Sequence, residues 1–226
     1  MRRHYGAIVA FFRHLVARLQ PQDCPYEALD GTGVPTRDAK RRGAGWLAGQ
    51  ADIGWSNRLG WYEGFYLLVS ANPQGVITGF SFAPASTKDQ TMAENFFAFR
   101  HVPHPRVPTV GNPAVGYYVV DKGFGGKERH QHWYHHYRAH VVCPPKRNSR
   151  QPWPKKLRRR VASLRQIVET VNEKLHHAFR LDRERPHALA GFQTRLAAKA
   201  ALHNFCIWLN LKLGRQPLEF ATLLDW

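Results

Sequence analysis

Acidic residues are scarce in this chain. Only 16 Asp+Glu stand against 33 Lys+Arg, a formal charge of +17 over 226 residues. Such an excess favours a polyanionic partner, nucleic acid or anionic lipid. Cysteine is scarce too. Cys24, Cys143 and Cys206 are far apart, odd in number and without a CxxC pair, which excludes a disulfide framework and suits a reducing compartment. Long apolar runs are missing altogether: none approaches the roughly 20 residues that a membrane span requires. The opening MRRHYGAIVAFFRHLVARLQ starts basic, but Arg13, His14 and Arg18 interrupt its apolar stretch. It reads as an amphipathic helix rather than a signal peptide. The expectation is a protein that stays in the cytoplasm, its charge directing it to the nucleoid. What is present is an ordinary core: 43% hydrophobic residues, too many for disorder and enough for one full domain.

The pattern along the chain alternates strands and helices. Residues 1–19 are helical in pattern and stop at Gln20-Pro21. YEALD (26–30) reads as a short strand running into a Gly31-Thr32-Gly33 turn, and residues 37–60, basic and Gly-rich, read as a loop. WYEGFYLLVSAN (61–72) and VITGFSFAPAS (76–86) form a hairpin about the PQG turn. Ser86 to Asp89 offer N-caps for a helix through Ala98. After a Pro-rich loop, VGYYVVD (115–121) is nearly all apolar, as in a strand buried on both faces. KERHQHWYHHY reads as a helix and RAHVVCP as another buried strand. PPKRNSRQPWPKKLRRR (144–160) reads as a basic linker, and two long helices follow, from Leu157 to about Leu181 and from Gly191 to Leu213. That order predicts an α/β fold with a central mixed sheet flanked by helices.

Two aspartates hold similar places: Asp30 after YEAL and Asp121 after YYVV. A carboxylate at the mouth of a buried strand is costly unless its desolvation is offset. A turn, a salt bridge or a metal ion would each do so. Two such carboxylates brought together would repel each other, and a divalent cation relieves that repulsion, since Mg²⁺ is held by one or two carboxylates with water and phosphate completing its shell. A third carboxylate on a following helix would complete a two-metal site, its ions about 3.5–4 Å apart. Glu169 is the obvious third member, and Arg165, one turn earlier, shares its side of the helix, where it could orient the Glu or touch a phosphate.

The set DGTG, then VVDKGFGG, then LRQIVETVNEKLHHAFRL followed by GFQTRLAAKAALHNFCIWLN resembles the DDE transposases of bacterial insertion sequences. GWYEGFYLLVSANPQGVITGFSFAPASTKD, with its trailing Asp89, is also similar, and the resemblance spans roughly residues 26–213. It implies an RNase H-like core in which Asp30, Asp121 and Glu169 are the catalytic carboxylates and the ligands of Mg²⁺ or Mn²⁺. The reaction implied is cleavage of double-stranded DNA at the element's ends and transfer of the freed 3′-hydroxyl into target DNA, in a complex holding two protomers. Arg165 matches the Arg of the family's Tyr-x2-Arg-x3-Glu-x6-Lys signature. The chain departs from it at two places: Ala162 stands where Tyr is expected and His176 where Lys is expected, with Lys174 two residues earlier. Asp121 and Glu169 are 48 residues apart, too close for a large inserted β domain. The expectation is then that residues 1–22 are an N-terminal helix left from a DNA-binding domain and 23–226 the catalytic domain, of a chain truncated at its start.

The remaining bases distribute around this set. Lys155, Lys156, Arg158, Arg159 and Arg160 precede the helix of Glu169. Lys122 follows Asp121, while Arg37, Lys40, Arg41 and Arg42 follow Asp30. With Arg165 and Lys174 they are the candidate phosphate contacts. The histidines of HQHWYHHYRAH lack the cysteine partners of a zinc finger and read as a basic, aromatic helix face near DNA. Trp46, Trp55 or Trp133 could stack on an unpaired base, although core packing is the ordinary job of tryptophan. Two other readings remain: a basic nucleic-acid-binding protein with structural carboxylates, and a metal-dependent nuclease of the same fold without strand transfer.

Overall fold

The computed structural model describes residues 4–38, 46–47, 49–101, 109–111, 116–146, 149–183 and 185–223. Among these residues five α-helices, α1 (Tyr5–Leu19), α2 (Asp89–His101), α3 (Lys127–Tyr137), α4 (Lys155–His177) and α5 (Leu189–Lys212), surround one sheet. Its seven strands are β1 (Glu27–Asp38), β2 (Asp52–Ser56), β3 (Gly60–Ala71), β4 (Ile77–Pro84), β5 (Thr109–Gly111), β6 (Tyr117–Val120) and β7 (His140–Val142), ordered β5-β4-β3-β1-β6-β7 with β2 on the start of β3. The β1, β3, β4 and β5 pairings are antiparallel, whereas β6 and β7 add to β1 in parallel. This mixed, helix-flanked sheet is RNase H-like.

Strand alternation divides the core in two. Ala28, Val34, Phe65, Leu67 and Val69 face α1, α4 and α5, which contribute Phe12, Val16, Val168, Val171, Leu175 and Phe192. Leu29, Leu68, Tyr118 and Val120 face α2 and α3, against Met92, Phe96, Phe97 and Trp133. The second layer holds a fully buried ion pair. Arg100 of α2 forks onto Glu27 at 2.5 and 2.8 Å, and Ser70 bonds the same carboxylate.

Four expectations change. The DGTG stretch is no turn: β1 runs on to Asp38, paired with β3, so Asp30 lies inside a strand. Its glycines serve close approach instead. A Cβ on Gly31 would stand 1.7 Å from Tyr66 Oη, and one on Gly33 2.7 Å from the Tyr62 ring. Second, residues 37–60 are not all loop, because DIGWS pairs with the start of β3 in a hairpin whose Gly60 takes φ +69°. Third, KKLRRR is not linker: Pro154 stands just before the helix, at its N-cap position, and Lys155 opens it. Fourth, β7 is the sheet's edge, its residues half-buried or exposed, because only β6 covers it.

Candidate active site

Parallel pairing brings the two aspartates together. The last registered pair between β1 and β6 is Leu29 with Val120, so Asp30 and Asp121 follow side by side. Alternation puts both on the face covered by α4. Asp121 itself ends its strand by capping a short 3₁₀ turn: Oδ1 accepts from Gly123 N at 2.6 Å. A Cβ on Gly123 would meet Asp89 Oδ2 at 2.1 Å, so any larger residue would have to push aside the carboxylate at the start of α2. One Asp121 oxygen is therefore spent on the turn, and the other faces the cleft.

From α4, Arg165, Glu169, Asn172 and His176 project in one stripe at helical spacing. Arg165 Nη2 lies 3.3 Å from Glu169, 3.4 Å from Asp30 and 4.0 Å from Asp121, so three carboxylates from three segments surround one guanidinium. Asn172 Nδ2 donates to the other Asp30 oxygen at 3.3 Å. Burial pushes the Asp30 carboxyl up to about 6; Arg165 opposes that rise, while Glu169 and Asp121 reinforce it. Among the described residues no cluster of three His, Cys, Asp or Glu side chains is positioned to ligate a single ion as it stands. In this cleft the guanidinium occupies the middle.

Further layers hold the cleft, which has a volume of about 590 Å³. His176 Nε2 meets Thr32 Oγ1 at 2.7 Å and its Nδ1 meets Asp182 at 2.8 Å. Arg58 forks onto the same Asp182 at 2.5 and 2.9 Å and donates to Gly33 O. Burial raises the Asp182 carboxyl, but the bonds from His176 and Arg58 outweigh it and hold the group down at about 2. Opposite, Tyr66 Oη donates to Asp89 at 2.7 Å, and burial, then Asp89, push that phenol well above its ordinary value.

Among the other residues singled out from the sequence, Lys155, Lys156, Arg158, Arg159 and Arg160 stand exposed on the first turns of α4, and Lys122 is exposed beside Asp121. Lys174 is half-buried and does not line the cleft. Lys40, Arg41 and Arg42 lie outside the described residues. Trp133 is core, bonding Glu94 of α2, whereas Trp55 is 57% exposed and lines the cleft. The α3 histidines divide: His132 joins Glu94 at 3.0 Å and His130 reaches Phe124 O. Sequence reasoning overlooked Asn172 and the Thr32–His176–Asp182–Arg58 chain. Asn172 was within reach, being three residues past Glu169 on the same helical face.

An RNase H-like sheet with carboxylates gathered where β1 and β6 adjoin, under a helix carrying a third, defines a class of nucleic-acid-processing enzymes. The chain matches the transposase DDE domain family over residues 28–205 and belongs to that family. No curated protein matches it. No helix among the described residues is long and apolar enough to cross a membrane.

Proposed function

We propose that this protein is the catalytic domain, residues 23–226, of an insertion-sequence transposase. It cleaves double-stranded DNA at the element's ends and joins the freed 3′-hydroxyl to target DNA, with Asp30, Asp121 and Glu169 as the catalytic carboxylates. The observation that carries this reading is the convergence of those three side chains on one cation in a single cleft, in a family of transposases. Their donors are all hard oxygens, as Mg²⁺ or Mn²⁺ prefers, and they already enclose a positive group, the Arg165 guanidinium, as a stand-in. When bound, divalent ions there would neutralise the developing charge of phosphoryl transfer and activate the attacking oxygen.

The chain's own groups do the positioning. Asp121 is fixed by its bond from Gly123, and Asp30 by Asn172. Glu169, with 55% of its side chain exposed, is free to adjust. Lys122 and the five bases opening α4 grip phosphates. Those five stand at the positive end of the helix dipole, an arrangement that like charge disfavours and a phosphate backbone relieves. Such contacts supply affinity and register rather than sequence readout. Because two ends must be held at once, the active species is at least a homodimer.

The test uses the purified chain, duplexes carrying candidate element ends, and Mg²⁺ or Mn²⁺. Nicked and then joined products should form, and Asp121→Asn should reduce both to background. Nicking without joining would leave a nuclease. DNA binding indifferent to metal and to Asp121→Asn would leave a non-catalytic binder.

A further inference from the structure

Arginines meet carboxylates in contrasting ways in this fold. Arg100 on Glu27 (2.5 and 2.8 Å) and Arg58 on Asp182 (2.5 and 2.9 Å) are two-pronged pairs at charge-assisted distances. Arg165 is held differently. A single nitrogen, Nη2, serves Glu169, Asp30 and Asp121 at 3.3, 3.4 and 4.0 Å, with no two-pronged pair to any of them. Its Nε is buried without a hydrogen-bond partner. The Arg165 hydrogen bond to Asp30 is long, at 3.4 Å, and leaving a buried donor unpaired is unfavourable, so hydrogen bonding alone does not explain this placement. The summed field of three acids does, and a cation in such a field settles at a compromise position instead of closing on one partner.

We propose that Arg165 is the built-in counter-cation of the metal-free cleft and leaves its central position when a divalent ion binds the carboxylates. This rests on the carboxylate reading above and extends it. Until an ion arrives, Arg165 offsets the mutual repulsion of Asp30, Asp121 and Glu169 and keeps them gathered. A guanidinium and a divalent cation repel each other, so both cannot occupy the middle, and the arginine therefore weakens metal binding. Once displaced, it keeps its whole fork, including the unspent Nε–H, for a phosphate oxygen of the DNA. Arg165 is thus a positioning residue whose partner changes with the state of the site. An ordinary helix-surface pair with Glu169 would have no such effect on the metal.

Calorimetric titration with Mn²⁺ alone separates these possibilities, at fixed ionic strength and without DNA. Arg165→Gln should bind Mn²⁺ about tenfold more tightly than wild type, a difference of about 1.4 kcal/mol. Arg165→Met, which keeps the apolar stem, should do the same if the glutamine variant fails to fold. Arg165→Lys, which keeps the charge, should remain close to wild type. In chelator, the two neutral variants should melt lower than wild type and gain more on adding Mn²⁺. Neutral variants that bind Mn²⁺ equally or more weakly would overturn the counter-cation role while leaving the carboxylate site standing. A lysine variant as tight as the glutamine one would also overturn it, since charge would not be the cause. No wild-type binding that Asp121→Ala abolishes would overturn both this role and the proposed function.

Discussion

Replacing Asp30 with asparagine should stabilise the protein in the absence of divalent metal near neutral pH and have no such effect in acid. Burial lifts the Asp30 carboxyl to about 6 from an ordinary 3.8, and that net rise already includes the attraction of Arg165. One unit corresponds to about 1.4 kcal/mol, so the ceiling on the ionisation penalty is about 3 kcal/mol. The side chain is 21% exposed toward an open cleft, and solvent screening lowers the expected gain to about 1–2 kcal/mol. The sign follows from proton binding. Between about pH 4 and pH 6 the folded state holds a proton that the unfolded state has released, so stability falls as pH rises through that window. Asparagine, nearly the same shape and never charged, escapes the fall, and its amide oxygen can still accept from Asn172. At this chain length the gain is roughly 3–6 °C in melting temperature. Differential scanning calorimetry with a chelator present, near neutrality and again below about pH 4, measures it. A variant less stable than wild type near neutrality, or offset equally at both pH values, would refute the claim that the cleft strains its own carboxylate.

Three other perturbations probe the frame around the site. Glu27→Ala removes the carboxylate that the buried Arg100 forks onto, which should cost about 3–5 kcal/mol in denaturant unfolding; near-wild-type stability would show that the pair is dispensable. Gly31→Ala drives a methyl into Tyr66 and should cost about 1–3 kcal/mol, with Tyr66→Leu restoring part of it in the double variant; an alanine variant as stable as wild type would mean that Tyr66 yields freely. Asp182, held near 2, stabilises the fold above the ordinary carboxylate range near pH 4 and loses that contribution as pH falls through about 2. Asp182→Asn should therefore be about 1 kcal/mol less stable at neutral pH, the partial exposure of the pair being allowed for, and should show a shallower acid transition. Identical acid profiles for the two proteins would count against it.

Much of the layout was legible because periodicity is local. The apolar YYVV run, the hairpin about PQG and the two long final helices each carry their signal within a few residues, and the structure places them there. Gly31 and Gly33 misled because glycine has two uses: it permits turns, and it permits another chain to come close. Only the position of Tyr66 and Tyr62 in the neighbouring strand tells them apart, and that is a long-range fact. The convergence of Asp30, Asp121 and Glu169 on Arg165 was partly legible, since Arg165 and Glu169 are one helical turn apart. The chain from Thr32 through His176 and Asp182 to Arg58 was not, because it joins four separate elements by side chains alone. What looked in the sequence like a departure, His176 in place of lysine, is in the structure a buried brace.

The adjacency of Asp30 and Asp121 rests on a parallel ladder of three registered residue pairs, drawn from distant parts of the chain. Parallel pairing of that kind joins residues far apart in sequence, whereas β1, β3 and β4 pair as near neighbours along the chain. A chain in which only the β1–β3–β4 meander has formed can thus bury much of its apolar surface and still lack the carboxylate cluster. A chain of net charge +17 thus carries its whole positive charge before the three carboxylates meet, since their meeting needs β6 and α4 both docked beside β1.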